Sequence, residues 1–283
     1  MEEIAPGVYV SSFYPGINVG LIVTDGGPIM VDSPPLPDDA RAWRERAEEV
    51  AGGPIRYVVL TDHHPDRLIG AGWPGAPVVA GRGAFRRLRE GGESLWRAVV
   101  EEWVRRRPGA EGLADARPVL PEVIVAGRVS LHGSVPVVVE SVPGAAPGSV
   151  WVRLPEQEVL FAGDTVVVGA HPFLAEAPDT RAWLETLVDL RRPWFPARLI
   201  VPGRGPVCDK EATRDLSAYI QRVRRRIRSV HTAGGGRGDL AGLVEEFLSL
   251  FPIEEGERER VQRQVRAGLE RVFEELRPEE AEE

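Results

Sequence analysis

The sequence predicts an α/β fold in two comparable halves, each running from strands into a helix, followed by an all-helical C-terminal extension. Three observations carry that reading. Short β-branched runs bounded by Gly, Pro and Asp recur in two groups, and each group leads into an amphipathic helical stretch. One apolar run, Val58-Val59-Leu60, ends abruptly in the polar cluster Thr61-Asp62-His63-His64-Pro65-Asp66-Arg67, the mark of a loop at the carboxyl end of a strand. Beyond about Glu211 no strand signal remains and three amphipathic stripes follow, which sets residues 1–210 apart from an α-helical extension over 211–283.

In chain order, residues 7–13, 18–25 and 28–32 read as strands, the last two joined at an Asp25-Gly26-Gly27 turn. Pro37 opens a helix with Ala40, Trp43, Ala47 and Val50 on one face, and Gly52-Gly53 closes it. Strand 57–60 feeds the polar cluster, and 77–80 is a short strand after it. Helices are expected near 82–89 and 93–106, the second with Leu95, Val99 and Trp103 at four-residue spacing. Strands follow at 123–132, 135–142, 149–154 and 158–162, and Thr180 is the expected cap of a helix carrying Trp183, Leu184, Leu187 and Leu190 inward. A last strand, 199–201, runs into Pro202-Gly203-Arg204-Gly205-Pro206. The stripes of the extension are Leu216 to Val230, Leu240 to Leu250 and Val261 to Leu276. Each needs a surface to cover it: the body of the same chain is the first choice, a homodimer through the C-terminal helices the second.

Composition narrows the function classes. Hydrophobic content of 43% and charged content of 28% describe a soluble globular protein. No apolar run reaches the roughly 18 residues of a membrane span, so no membrane partner is expected. The acidic start, Met1-Glu2-Glu3, lacks the basic and apolar regions of a signal peptide, and the single Cys208 fits a reducing compartment; a cytoplasmic location is expected. A net charge of -8 argues against nucleic acid. Arg222, Arg224, Arg225, Arg226 and Arg228 form a basic helix face, for which the acidic stretches at Glu245-Glu246, Glu254-Glu255 and Glu257 offer partners within the chain.

The polar cluster after Leu60 resembles the metallo-β-lactamase signature Thr-His-x-His-x-Asp-His, with His64 and Asp66 in place, Asp62 at the first His position and Arg67 at the last. The resemblance extends over roughly residues 7–210. Val142-Pro143-Gly144-Ala145-Ala146-Pro147-Gly148-Ser149 is similar to the family's Pro-Gly-His-Thr-Pro-Gly-Ser motif, with Ala145 where the His belongs. Gly163-Asp164 matches its Gly-Asp motif, and Pro202-Gly203-Arg204-Gly205-Pro206 its Pro-Gly-His-Gly-Pro motif with Arg204 for the His. The resemblance implies an αββα four-layer sandwich with the site on loops at one edge, and Asp32 as a support of the signature loop. It also implies which ligand positions have gone. One metal would keep Asp62 and His64 and receive nothing from Ala145; the other would keep Asp66 beside Arg67 and Arg204, with Asp164 between the two.

Two readings of this pocket, lined by Asp62, His63, His64, Asp66, Arg67, Asp164, His171 and Arg204, stand side by side. In the first there is no metal. Three converging carboxylates without a cation are costly, and two guanidinium groups pairing with Asp66 and Asp164 restore near-neutrality. The protein is then non-hydrolytic, a binder of a small anionic molecule or a scaffold. In the second, Asp62, His64 and Asp164 hold one divalent ion (zinc, iron or manganese), with His63 as a substitute ligand and Asp66 as general base, in a hydrolase of a thioester, ester or phosphoester. Ligand count favours the first. His171 reads better as a loop residue bonded to backbone than as a pocket group, and Cys208 better as an inert thiol than as a nucleophile.

Overall fold

The computed structural model describes residues 1–106, 110, 112–113, 119–254 and 256–277; most of the loop expected over 108–121 lies outside them. The chain begins as a meander of β1 (Glu2–Ala5), β2 (Val8–Ser11), β3 (Val19–Ile22) and β4 (Ile29–Val31), each antiparallel to the last. From β4 the sheet turns parallel through β5 (Tyr57–Leu60), β6 (Val78–Gly81) and β7 (Val123–Val125), giving the seven-stranded order β1-β2-β3-β4-β5-β6-β7. Parallel neighbours need crossovers, and these are α1 (Pro37–Ala51), the single turn α2 (Pro65–Leu68) and α3 (Arg82–Arg106). Helix α1 starts on Pro37 with Asp38 and Asp39 in its first turn, favourable to the helix dipole. It stops at Gly52, whose left-handed φ of 72° lets its N–H reach the carbonyl of Glu48.

The second sheet has five strands in the order β12-β11-β10-β9-β8. These are β8 (Arg128–Leu131), β9 (Val137–Ser141), β10 (Val150–Leu154), β11 (Val159–Val167) and β12 (Leu199–Arg204). All pairs are antiparallel except β11 with β12, which α4 (Thr180–Leu190) connects. Val8, Ile22, Val59, Val139, Val152 and Phe161 belong to one apolar layer between the sheets. Met30, Trp43, Leu60 and Trp103 form a second layer under α1 and α3. The third joins Leu160, Trp183 and Leu187 to the extension helices α5 (Thr213–Thr232), α6 (Leu240–Leu248) and α7 (Arg258–Glu275) through Ile220, Phe247 and Leu269. Helix, sheet, sheet and helix thus follow one another as expected, and the stripes of the extension are covered by the chain itself. Among the described residues no helix is long and apolar enough to cross a membrane. The basic face of α5 is partly neutralised from within: Arg222 and Arg226 bond Glu246, and Arg224 bonds Glu275 and Thr180.

Two local expectations need correction, the strand over 123–132 and the cap of α4. The run 123–132 is two strands: the chain leaves the first sheet after Val125 and joins the edge of the second at Arg128. A β-branched pattern reports extended backbone but not the sheet it enters. The two helices expected within 82–106 are present as the two arms of α3, which meet at a break at Gly92, where φ is 49°. The cap of α4 is Asp179, whose Oδ1 accepts the N–H of Arg181 at 2.7 Å and of Ala182 at 2.9 Å; Thr180 lies inside the helix and bonds Glu275.

Close approach of the two sheets makes a test. Gly20 on β3 faces the ring of Phe161 on β11 with no room for a Cβ, whereas Gly53 has open space around it. Gly20→Ala is expected to lower unfolding stability by about 1–3 kcal/mol, as overpacked cores do, while Gly53→Ala leaves the urea midpoint nearly unchanged.

Candidate functional site: a pair of buried guanidinium groups

The ends of β4, β5, β11 and β12 meet at one edge of the sandwich. Thr61 joins the halves there: its carbonyl accepts the N–H of Val150 on the second sheet at 2.8 Å. Asn18 does the same for the last motif, donating from Nδ2 to the carbonyls of Pro202 and Gly205 at 2.8 Å each. After Thr61 the chain turns at Asp62, whose Oδ1 accepts the N–H of His64 at 2.8 Å, a turn favoured by Asp. His64 then precedes Pro65 at the start of α2, so Asp66 and Arg67 fall in its first turn. The sequence-expected residues Asp62, His64, Asp66, Arg67, Asp164 and Arg204 do converge.

Arg67 is wholly buried and satisfies its neighbours one by one. Its Nη1 and Nη2 donate to Oδ2 and Oδ1 of Asp164 at 3.0 and 2.8 Å, a two-pronged fork. Its Nε donates to Thr61 Oγ1 at 2.8 Å and to Asp32 Oδ2 at 3.1 Å, and Nη1 lies 3.6 Å from Asp62 Oδ1. Gly203 has to be glycine, because a Cβ would collide with both Asp164 and the Arg67 guanidinium. Asp32 holds the loop in turn, accepting the backbone N–H of Thr61 at 2.9 Å and its hydroxyl at 2.7 Å.

Arg204 forms the outer half of the cluster. Its Nη2 donates to Asp66 Oδ2 at 2.8 Å and lies 3.3 Å from His64 Nδ1, while Nε stands 3.5 Å from Asp164 Oδ1. Phe173 covers it, with the guanidinium carbon 4.5 Å from the ring centre. The same ring packs 4.1 Å from the imidazole of His64. Burial works against every charge here, but Arg67 and Arg204 outweigh it at Asp164, whose carboxyl is held far below the usual range. Arg67 is held well above its ordinary value by Asp164, Asp62 and Asp32, again against burial. At Asp32 burial wins over Arg67, and the carboxyl is pushed up to about 6. Burial lowers His64, and Arg204 adds to that, so its ring is neutral near pH 7.

This arrangement does not fit a metal ion. Both oxygens of Asp164 are taken by Arg67, Asp66 is the partner of Arg204, and a guanidinium group stands 3.3 Å from Nδ1 of His64. A guanidinium cannot lose its proton to become a ligand, and it repels an arriving cation. Ala145, at the position of the absent third ligand, is part of an apolar cluster. The set Asp62, His64 and Asp164 is therefore close in space but not available as three free ligands. His63 offers no substitute: its Nδ1 is 2.9 Å from the carbonyl of Pro147 and its Nε2 2.6 Å from Glu176 Oε2. His171 is bonded not to backbone but to the hydroxyl of Tyr219, 3.3 Å from Nδ1. Burial, with Asp209 nearby, pushes the Cys208 thiol up to about 11, as expected of an unreactive cysteine.

Several contributors carry no signal in the motifs. Phe173 and Glu176 lie on the loop after β11, and Gln264 on α7 ties that loop down, donating from Nε2 to the carbonyl of His171 at 2.9 Å. Gln264 sits between apolar-stripe positions of α7, and only the folded chain sets it apart. Under Phe173 is a cavity of about 240 Å³ walled by Asp62, His64, Ala145, Asp164 and Glu176. Those walls are largely apolar, with Pro65, Ala146 and Ala175 beside Ala145, and their charged groups are the carboxylates of Asp62, Asp164 and Glu176, so an anion is not drawn into this part of the site.

The His63–Glu176 pair makes stability depend on pH. Burial opposes charge on His63, but Glu176 more than compensates and raises its pKa above the ordinary 6.5, while the hydrogen bond from His63 lowers that of Glu176 below 4.5. The His63 contribution is complete below 6.5 and is lost as pH rises through the raised value; that of Glu176 is present above 4.5 and lost as pH falls. Asp32, raised from 3.8 to about 6, acts in the same direction as His63: its contribution is complete below 3.8 and is lost as pH rises through about 6. Urea unfolding should thus show stability declining as pH rises above 6.5, a decline that Glu176→Gln flattens.

Comparison with known proteins bears on the family and the fold. The sequence profile of the metallo-beta-lactamase superfamily matches residues 15–204. A metallo-beta-lactamase family protein from Thermus thermophilus is similar in fold with a TM-score of 0.67 and 23% identity, over 97% of this chain and 94% of that one. A metallo-beta-lactamase from Pontibacter korlensis gives 0.58 and 20%, over 78% of this chain and 97% of that one. A double mutant of a sec-alkyl sulfatase gives 0.66 and 19%, over 96% of this chain but 50% of that one. At such identities the structural likeness is one of fold, whereas the profile match spans more than half of the sequence. The chain belongs to the metallo-beta-lactamase superfamily.

Proposed function

We propose that this protein is a non-hydrolytic member of its superfamily, in which Arg67 and Arg204 serve as fixed cations at the place of metal ions and the fold works by binding. The observation that carries this reading is the fork of Arg67 on Asp164 at zero exposure. Metal-assisted hydrolysis needs an ion that lowers the pKa of a bound water by several units. A guanidinium group supplies charge and hydrogen bonds but no vacant coordination position, and its partners here leave Asp66 engaged rather than poised as a base. Phe173 packs on both the Arg204 guanidinium and the His64 ring and so helps to hold that charge pair in place.

The test is metal content by mass spectrometry on untagged protein, after dialysis against zinc, manganese and iron in turn. Retained metal far below stoichiometric, an unfolding midpoint unmoved by EDTA, and no turnover of thioester, ester or phosphoester probes are the expected results. Tightly held stoichiometric metal would overturn the reading and restore a mononuclear hydrolase built on Asp62, His64 and Asp164.

A further inference from the structure

A second cavity, of about 480 Å³, lies between the Arg204 edge of the site and the chain leading into α7. Two nitrogen donors face it. His171 is 6% exposed, and its Nε2 is buried without a hydrogen-bond partner among the described residues. The protonation of that ring follows from its neighbour. Tyr219 packs against the rings of Phe247 and Phe251 and its hydroxyl bonds His171 Nδ1. A buried hydroxyl proton needs an acceptor, and Nδ1 is the one in reach, so the imidazole proton is assigned to Nε2, pointing a donor at the cavity. The second donor is Arg204. Its Nη2 is engaged by Asp66 and its Nε faces Asp164, which leaves Nη1, beside Gly16, where a Cβ would stand only 2.8 Å from that nitrogen.

The rest of the lining includes Phe173, Pro252, Ile253 and Val261, an apolar trough continuing from the two donors. Counter-charges are near: Arg260 is paired with Glu257, and Glu254 stands exposed at the rim. One unspent guanidinium edge and one neutral N–H match a single negative charge spread over two oxygens. A doubly charged phosphate would meet Glu254 and Glu257 with no further free cation on the walls. We propose that this cavity binds a small organic carboxylate, its oxygens held by Arg204 Nη1 and His171 Nε2 and its apolar body lying along Ile253 and Val261. Its volume is within the range of small-molecule pockets. The inference rests on the metal-free reading above, since Arg204 must keep both its charge and its place.

Isothermal titration of the full chain with benzoate and hexanoate, each beside its neutral amide and each with and without EDTA, tests the proposal. Saturable binding of a carboxylate is expected, indifferent to EDTA and about tenfold or more tighter than the amide, the scale of a charge-assisted hydrogen bond. His171→Phe keeps a ring but removes the donor, and Ile253→Trp fills the trough; each should weaken binding by about tenfold while the thermal transition stays cooperative. If one variant fails to fold, the other decides. Absence of saturable carboxylate binding in either buffer, equal binding of the amides, or unchanged affinity in a folded variant would overturn the carboxylate site and leave the metal-free reading standing. Binding abolished by EDTA would overturn both.

Discussion

Asp164 lies in a stretch of β11 that is buried throughout, at the junction of two sheets, and a carboxylate in such a place persists only beside a positive charge. Arg67 supplies it, and in doing so reaches Asp32 after β4 and Thr61 after β5 as well. One side chain thus ties two strand ends of the first sheet to β11 of the second. The cost of burying its charge is large, and it is offset only because four acceptor atoms meet its N–H groups at hydrogen-bonding distance. Removing either partner leaves the other charged in the interior without its two-pronged bond, and the more distant contacts of Arg67 with Asp62 and of Asp164 with Arg204 replace it only in part. That asymmetry fixes the site more firmly than the net strength of the pair does.

The remaining features follow outward from that fork. Arg204 neutralises Asp66 and approaches Asp164 from the other side, Phe173 caps Arg204, and the loop bearing Phe173 is tied to α7 by Gln264. The helical extension is therefore part of the site's closure as well as a cover for α4. Its own apolar stripes share one core cluster with Leu160 and Trp183, and ion pairs such as Arg222–Glu246 hold α5 to α6.

Much of this was legible in the sequence because glycine and proline frame each motif. Pro143-Gly144, Gly163 and Pro202-Gly203 keep their places around the replaced ligands, so the positions of Ala145, Asp164 and Arg204 could be assigned without coordinates. Strand 57–60 was readable to the residue, since a fully apolar run met a polar loop. What stayed hidden depends on contacts distant in the chain. His63 finds Glu176 and His171 finds Tyr219, 113 and 48 residues away. Thr180 and Asp179 are adjacent residues of similar capping preference, and only backbone geometry separates them. Glu176, one of the three carboxylates of the inner cavity, likewise lies in no motif, whereas Asp62 and Asp164 do.

The central claim is that Arg67 and Asp164 hold each other in place of a metal, and a double-mutant cycle measures it most directly. Stability is compared among wild type, Arg67→Met, Asp164→Leu and the double variant in the presence of EDTA. Each single change is expected to cost about 3–5 kcal/mol by stranding a buried charge. The double variant should be less destabilised than the sum of the two by about 2–3 kcal/mol, the coupling of directly contacting groups. Additive losses, with no coupling beyond error, would contradict the account.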